Sequence, residues 1–130
     1  MISTESRGCL GIDFITALCF KQVPALADAA RSAHALAGID TVNVIVGDGT
    51  LGWRPGAPYD VIVVAAAGPG VPDPLVHQLA DGGQLVAPIE EHGSQHLMRF
   101  TKRGDRLDRG ESLGGVRFVR LIGRHGFEEG

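Results

Sequence analysis

Val46-Gly47-Asp48-Gly49-Thr50-Leu51-Gly52-Trp53, followed by Ala57-Pro58-Tyr59-Asp60 and the apolar run from Val61 to Ala67, is the stretch whose reading decides the fold. It places one acidic side chain in a glycine-rich turn at the end of an expected strand, the position at which open α/β sheets bind ligands. Gly47, Gly49 and Gly52 also satisfy the Gly-x-Gly-x-x-Gly spacing of a dinucleotide site. In such a site the glycines open a helix whose free N–H groups receive the pyrophosphate. Here Gly52 is followed by Trp53-Arg54-Pro55-Gly56-Ala57-Pro58, whose two prolines and one glycine oppose helix continuation. The glycines therefore read as a loop between two strands. Two roles for Asp48 stay open. It is either a free acceptor that Gly47 and Gly49 let a ligand approach closely, or a turn residue that bonds its own backbone.

Periodicity outward from this loop gives an alternating order of elements. Upstream, Ile12 to Phe20 is apolar and partly β-branched and reads as a buried strand. Val23-Pro24 opens a helix with Leu26, Ala29, Ala30, Ala33 and Leu36 at helical spacing, and Gly38 supplies the stop. Thr41 to Val46 is a strand, and Tyr59 to Ala66 is a second, unbroken in hydrophobicity as a strand covered on both faces should be. Pro72-Asp73-Pro74 starts a short helix that runs to Leu79, with Asp81-Gly82-Gly83 as its stop. Strands are then expected at Gln84 to Pro88, His96 to Lys102 and Gly115 to Leu121. Strands alternate with helices first, and the last two follow without a helix between them. That order predicts an α/β fold with a mostly parallel sheet and an antiparallel hairpin at its C-terminal edge.

Length and composition bound the rest. A chain of 130 residues fits one domain with a core of its own, so residues 1–130 are read as a single domain. The net charge of -3 leaves no electrostatic footprint for nucleic acid, and no partner of that kind is expected. Cys9 and Cys19 lack metal-ligand partners at standard spacing and suggest a reduced, cytoplasmic protein. The N-terminus lacks a basic-then-apolar signal pattern, and no apolar run approaches the roughly 20 residues that span a bilayer, so no membrane partner is expected.

Val23 to about Gly123, some three quarters of the chain, resembles the later part of the protein-L-isoaspartate O-methyltransferase family. The matching pieces, in order, begin with Val23-Pro24-Ala25-Leu26-Ala27-Asp28-Ala29-Ala30-Arg31 and the Gly47-Asp48-Gly49-Thr50-Leu51-Gly52-Trp53 loop. Ala57-Pro58-Tyr59-Asp60-Val61-Ile62-Val63-Val64 with Ala65-Ala66-Ala67, then Gln78-Leu79-Ala80-Asp81-Gly82-Gly83-Gln84-Leu85-Val86-Ala87-Pro88 and Val116-Arg117-Phe118-Val119, complete the set. Each piece alone is weak; their order and spacing carry the resemblance. It implies a Rossmann-like class I methyltransferase sheet, S-adenosylmethionine as cofactor and isoaspartyl residues of damaged proteins as methyl acceptors, hence protein repair. It assigns Asp48 and Gly49, with Gly47, to the adenine end of the cofactor, where a carboxylate suits the exocyclic amine. Ala65 and Ala66 would line the floor beside the methyl donor. No catalytic residue is assigned, because an ionised carboxylate needs no base to attack a sulfonium methyl.

The departures from the family pattern lie upstream. Relatives carry a Gly-x-Gly-x-Gly loop after their first strand, and Met1 to Gly11 does not reproduce it. Where relatives place an acidic residue that holds the ribose hydroxyls, this chain has Lys21, which has three donors and no acceptor. The family's substrate-side segment would precede residue 1. Residues 1–21 are accordingly read as a divergent N-terminal segment and the chain as an N-terminally truncated or remodelled relative. The family's first strand is central in its sheet, so its place is expected to be filled by Ile12 to Phe20 or covered by a homodimer. A second reading of function follows: a non-catalytic remnant that binds a nucleoside weakly or serves as an interaction module.

Other residues point to structure. His92 and His96 are four apart, but Gly93 argues for a loop, so no metal site is expected. Arg99, Lys102, Arg103, Arg106 and Arg109, with Asp105 and Asp108, read as a solvated hairpin face.

Overall fold

The computed structural model describes residues 2–6, 16–21, 24–37, 42–46 and 48–128. Strand β1 is Ile2–Ser6, β2 is Thr16–Lys21, α1 is Pro24–Leu36 and β3 is Val42–Val46. Two 3₁₀ turns, Gly49–Leu51 and Arg54–Gly56, lead to β4, Tyr59–Val64. Helix α2, Asp73–Gln78, precedes β5 at Leu79–Glu91, β6 at Ser94–Arg103, β7 at Arg106–Leu107 and β8 at Glu111–Val116.

These strands form one sheet in the order β3-β2-β1-β4-β5-β6-β7, with β8 also paired to β6. Pairs β2·β3 and β4·β5 are parallel, while β1 is antiparallel to both β2 and β4. Strands β2 to β5 therefore share one direction, and β1 and β6 oppose it. The sheet is mixed, of the Rossmann-like class, with the antiparallel β5–β6–β8 arrangement at its C-terminal side.

The central place is filled by Ile2–Ser6, and Thr16–Lys21 lies beside it. This corrects the expectation for Ile12 to Phe20, of which residues 12–15 lie outside the described residues. The reason is the connection length. Nine residues, 7–15, separate β1 from β2, and a parallel crossover needs about a dozen or more, usually with a helix. Adjacent pairing across so short a link has to be antiparallel, with Ser3 opposite Cys19 and Ser6 opposite Thr16. The other edge of β1 pairs Ile2 with Val64 and Glu5 with Val61, so no second copy is needed at the centre.

The core lies on one face of β4 and β5, where Ile62, Val64, Leu85 and Ala87 are buried with Leu75, Leu79 and Leu121. On the opposite face Val63 is 40% exposed. Between Tyr59 and Val61 strand β4 advances two residues while β5 advances five, from Leu79 to Gln84, so three extra residues bulge outward. That bulge contains the Asp81-Gly82-Gly83 turn, with Gly82 at φ 76°. Glu91 and Ser94 close the β5–β6 hairpin around His92 and Gly93, both at positive φ, 52° and 78°. This is the sign pattern of a two-residue hairpin turn.

Two expectations are revised at the C-terminal side. The last strand is Glu111–Val116 rather than Gly115 to Leu121, because the antiparallel register against Gln95 to Arg99 consumes those residues first. Gln95 then accepts from the Phe118 N–H at 2.7 Å and donates to the Phe118 carbonyl at 3.1 Å, and the chain leaves the sheet edge. Lys102 does not belong to the solvated face. It is 9% exposed, and its ammonium donates to the Leu79 carbonyl at 2.7 Å.

Candidate functional site

The parallel strands bring their carboxyl ends to one edge. Lys21 pairs with Val46. Ser3 is opposite both Cys19 and Val63, so two residues further on Lys21 and Ala65 stand at the same level across the sheet. The loop after β3, the end of β2 and the segment after β4 therefore share the edge at which open α/β sheets bind ligands.

Asp48 opens the loop as the cap of the first 3₁₀ turn, with φ −76° and ψ 104°. Its Oδ1 accepts from the Thr50 N–H at 2.9 Å and from the Thr50 hydroxyl at 2.6 Å. Its Oδ2 accepts from the Arg124 N–H at 2.8 Å. The turn-residue role is thus realised, with an added partner 76 residues away. A carboxylate offers about four acceptor positions, so one remains after these three bonds. Burial raises the Asp48 pKa, but the bonds from Arg124 and Thr50, with His125 nearby, outweigh it and hold the carboxyl below its ordinary value.

The rest of the loop is gripped from the core side. Gln78, 5% exposed on α2, donates from Nε2 to the Leu51 carbonyl at 3.0 Å and accepts on Oε1 from the Trp53 N–H at 2.8 Å. The Tyr59 hydroxyl donates to the Trp53 carbonyl at 2.6 Å. Gly52 takes φ 66°, which a glycine adopts at little cost. The sequence correctly gave a loop here, and its prolines explain why the second 3₁₀ turn stops at Gly56.

Ala65 is half-buried and Ala66 is 4% exposed. The chain just after them is bonded on both sides. The Ala67 N–H donates to the Val119 carbonyl at 2.7 Å, and the Leu121 N–H donates to the Ala67 carbonyl at 2.8 Å. On the other side the Glu90 N–H donates to the Gly68 carbonyl at 2.8 Å. This segment is therefore a continuation of the sheet, built from residues with little side chain. Gly49 sits in the 3₁₀ turn, and Gly47 lies outside the described residues. The segment Leu121 to Arg124 joins the two parts, reaching Ala67 at one end and Asp48 at the other.

Thr50, Gln78 and the turn at Gly123 to His125 were not singled out from the sequence. The pair Gly123 and Gly126 was the available signal for the turn; nothing local marks Gln78. An open groove of about 760 Å³, lined by Glu90, Gln95, His96, Arg117, Phe118 and Arg120 among others, contains none of Asp48, Gly49, Ala65 and Ala66. Among the described residues no three His, Cys, Asp or Glu side chains converge on a possible metal position. No helix among them is long and apolar enough to cross a membrane.

The family model for protein-L-isoaspartate(D-aspartate) O-methyltransferase matches residues 2–126. The chain belongs to this family. Over 108 residues it is 48% identical to the protein-L-isoaspartate O-methyltransferase of Methanoculleus marisnigri, covering 83% of this chain and 49% of that protein. It is 50% identical over 108 residues to protein-L-isoaspartate O-methyltransferase 1 of Rhodopseudomonas palustris, covering 82% and 44%. A solved protein-L-isoaspartate O-methyltransferase superposes with a TM-score of 0.77 at 28% identity, over 84% of this chain and 35% of that one. A second, described as the family's enzyme from Plasmodium falciparum and solved with S-adenosyl-L-homocysteine, gives 0.69 at 26% identity, over 81% and 51%. This chain spans about half the length of the curated relatives it matches. The mixed sheet thus has the family's methyltransferase fold over the matched residues.

Proposed function

We propose that this chain carries the adenine side of an S-adenosylmethionine-dependent carboxyl methyltransferase that acts on isoaspartyl residues of damaged cytoplasmic proteins. The observation that carries the reading is Asp48, an ionised carboxylate fixed by three donors at the carboxyl edge of the sheet with one acceptor position left. Asp48, Gly49 and Gly47 take the adenine end, and Ala65 and Ala66 the floor.

The residues present fit one half of the cofactor. Asp48 can accept from the adenine amine, and the small side chains at 65 and 66 leave room for donor and acceptor to approach within reacting distance. The ribose end fits poorly, because Lys21 stands at the edge position level with Ala65 and has no acceptor to offer two hydroxyls. When bound, the cofactor supplies an electrophilic methyl group. The protein's share is alignment and exclusion of water. An isoaspartyl carboxylate, with an ordinary pKa near ~4, is already the nucleophile near neutral pH and asks for no general base.

The antiparallel β1 favours a second reading. It occupies the place that the resemblance gives to the strand leading into the glycine-rich cofactor loop. On that reading the chain is a non-catalytic remnant that binds a nucleoside weakly or serves as an interaction module. A homodimer would have to pair away from the sheet centre.

Calorimetric titration with S-adenosylhomocysteine separates the two. Heat of binding is expected, and Asp48→Ala should weaken the affinity by about 1–3 kcal/mol for one lost hydrogen bond to a charged acceptor. No heat at millimolar ligand would sink the enzyme reading for this chain. An unchanged affinity in the variant would leave Asp48 a turn residue only.

A further inference from the structure

The turn after Leu121 has no place in the reading given so far, yet it carries the most distant contacts of the Asp48 loop. The Arg124 N–H donates to Asp48 Oδ2 at 2.8 Å, and the His125 N–H donates to Thr50 Oγ1 at 3.2 Å. Thr50 is fully buried, and its hydroxyl donates on to Asp48 Oδ1 at 2.6 Å, so both carboxylate oxygens are tied directly or through Thr50 to this turn. Space agrees with bonding. A Cβ on Gly123 would stand 2.2 Å from Asp48 Oδ1 and 2.8 Å from Thr50 Cγ2, closer than real Cβ contacts allow. Only glycine lets the turn come this near.

The turn is itself rigidly held. The Gly126 N–H donates to the Gly123 carbonyl at 3.1 Å, and the Phe127 N–H donates to the Leu121 carbonyl at 2.7 Å. A Cβ on Gly126 would lie 2.4 Å from that Leu121 carbonyl oxygen. Leu121, 7% exposed, anchors the segment in the core, and its N–H is bonded to Ala67. A fixed piece of backbone thus runs from the floor after β4 to the carboxylate after β3.

We propose that the turn from Gly123 to His125 is a positioning clamp, which sets the Asp48 carboxylate so that its remaining acceptor position faces the adenine amine of the cofactor. This rests on the assignment of Asp48 to adenine. Arg124 acts through its backbone N–H and Gly123 through the absence of a side chain. Neither needs to touch the cofactor.

Two variants of the full chain test the clamp. Arg124→Pro removes the N–H donor, and Gly123→Ala forces the turn and the carboxylate apart. Both are expected to weaken S-adenosylhomocysteine binding about tenfold, the effect of one lost hydrogen bond of this kind. Both should also raise the Asp48 carboxyl pKa toward its ordinary value, read from the pH titration of its ¹³Cγ resonance. Arg124→Ala, which keeps the donor, should restore the wild-type affinity and titration. If Gly123→Ala fails to fold, Arg124→Pro with its Arg124→Ala rescue still decides. Wild-type affinity and an unshifted titration in Arg124→Pro would overturn the clamp alone, and tighter binding would show that the turn competes with the ligand. Failure of the wild-type chain to bind would overturn the adenine assignment and the clamp with it.

Discussion

Gln78 Oε1 lies 2.1 Å from where a Cβ on Gly52 would stand, and the same oxygen accepts the Trp53 N–H at 2.8 Å. The amide that holds the loop fills the space a side chain at 52 would need. Gly52→Ala must displace Gln78 and also place an alanine at φ 66°. A loss of about 1–3 kcal/mol is expected from the strained backbone and the broken bonds. Urea unfolding checks it, and a loss below about 0.5 kcal/mol would mean that the loop yields.

Asp48 sets part of the acid limb of stability. Its folded-state pKa lies below its ordinary value, so the unfolded chain binds more protons over that interval and stability rises with pH there. The contribution is fully present above the unfolded pKa, near ~3.9, and is lost as pH falls through the lower folded value. Asp108, bonded by the Thr101 and Gly110 N–H groups, is depressed in the same direction. Thermal unfolding from pH 7 down to pH 2.5, run on wild type, Asp48→Asn and Asp108→Asn, separates the two. Each variant should show a shallower acid limb, and a limb unchanged in Asp48→Asn would contradict the bonding described.

Much of the architecture was legible in the sequence because its signals are local. Pro24 opens α1, with Gly38 outside the described residues, and the unbroken Val61 to Val64 run marks β4. What was not legible depends on distant partners. Val116-Arg117-Phe118-Val119 has the composition of a strand, but pairing with β6 is fixed by register, and Glu111–Val116 takes the place. Ile2–Ser6 has little strand character of its own and becomes one between two neighbours that each offer it a ladder. The loop from Gly47 to Trp53 was legible as a loop from its glycine spacing and the prolines that follow it. Its restraints were not, since Gln78 and Arg124 lie 25 and 76 residues from the groups they bond.

Lys102 offers a test of a buried cation held by a backbone carbonyl. Its stem packs in the interior and its ammonium donates to the Leu79 carbonyl at 2.7 Å. Lys102→Met keeps the length of the stem and leaves that carbonyl without its donor. A loss of about 1–3 kcal/mol is expected, against less than about 0.5 kcal/mol for the exposed neighbour in Arg103→Met. Equal midpoints for the two variants in urea would show that the bond contributes nothing net.

Neighbouring residues on β4 should differ sharply. Ile62 is fully buried, while Val63 is 40% exposed on the opposite face. Ile62→Ala should cost about 2–5 kcal/mol through lost contacts and a cavity, and Val63→Ala under about 1 kcal/mol. Chemical denaturation of both variants reads the contrast. A comparable loss at Val63 would reveal that something covers that face in solution.

Strand β1 lies inside the sheet, between β2 and β4. Ile2 pairs with Val64, so this seam joins parts of the chain 62 residues apart and can close only after β4 exists. Chain order and sheet order therefore differ: β1 sits between two partners that both come after it in sequence. Clipping the first six residues would not trim a margin but would part β2 and β3, with helix α1, from β4 and the strands beyond it.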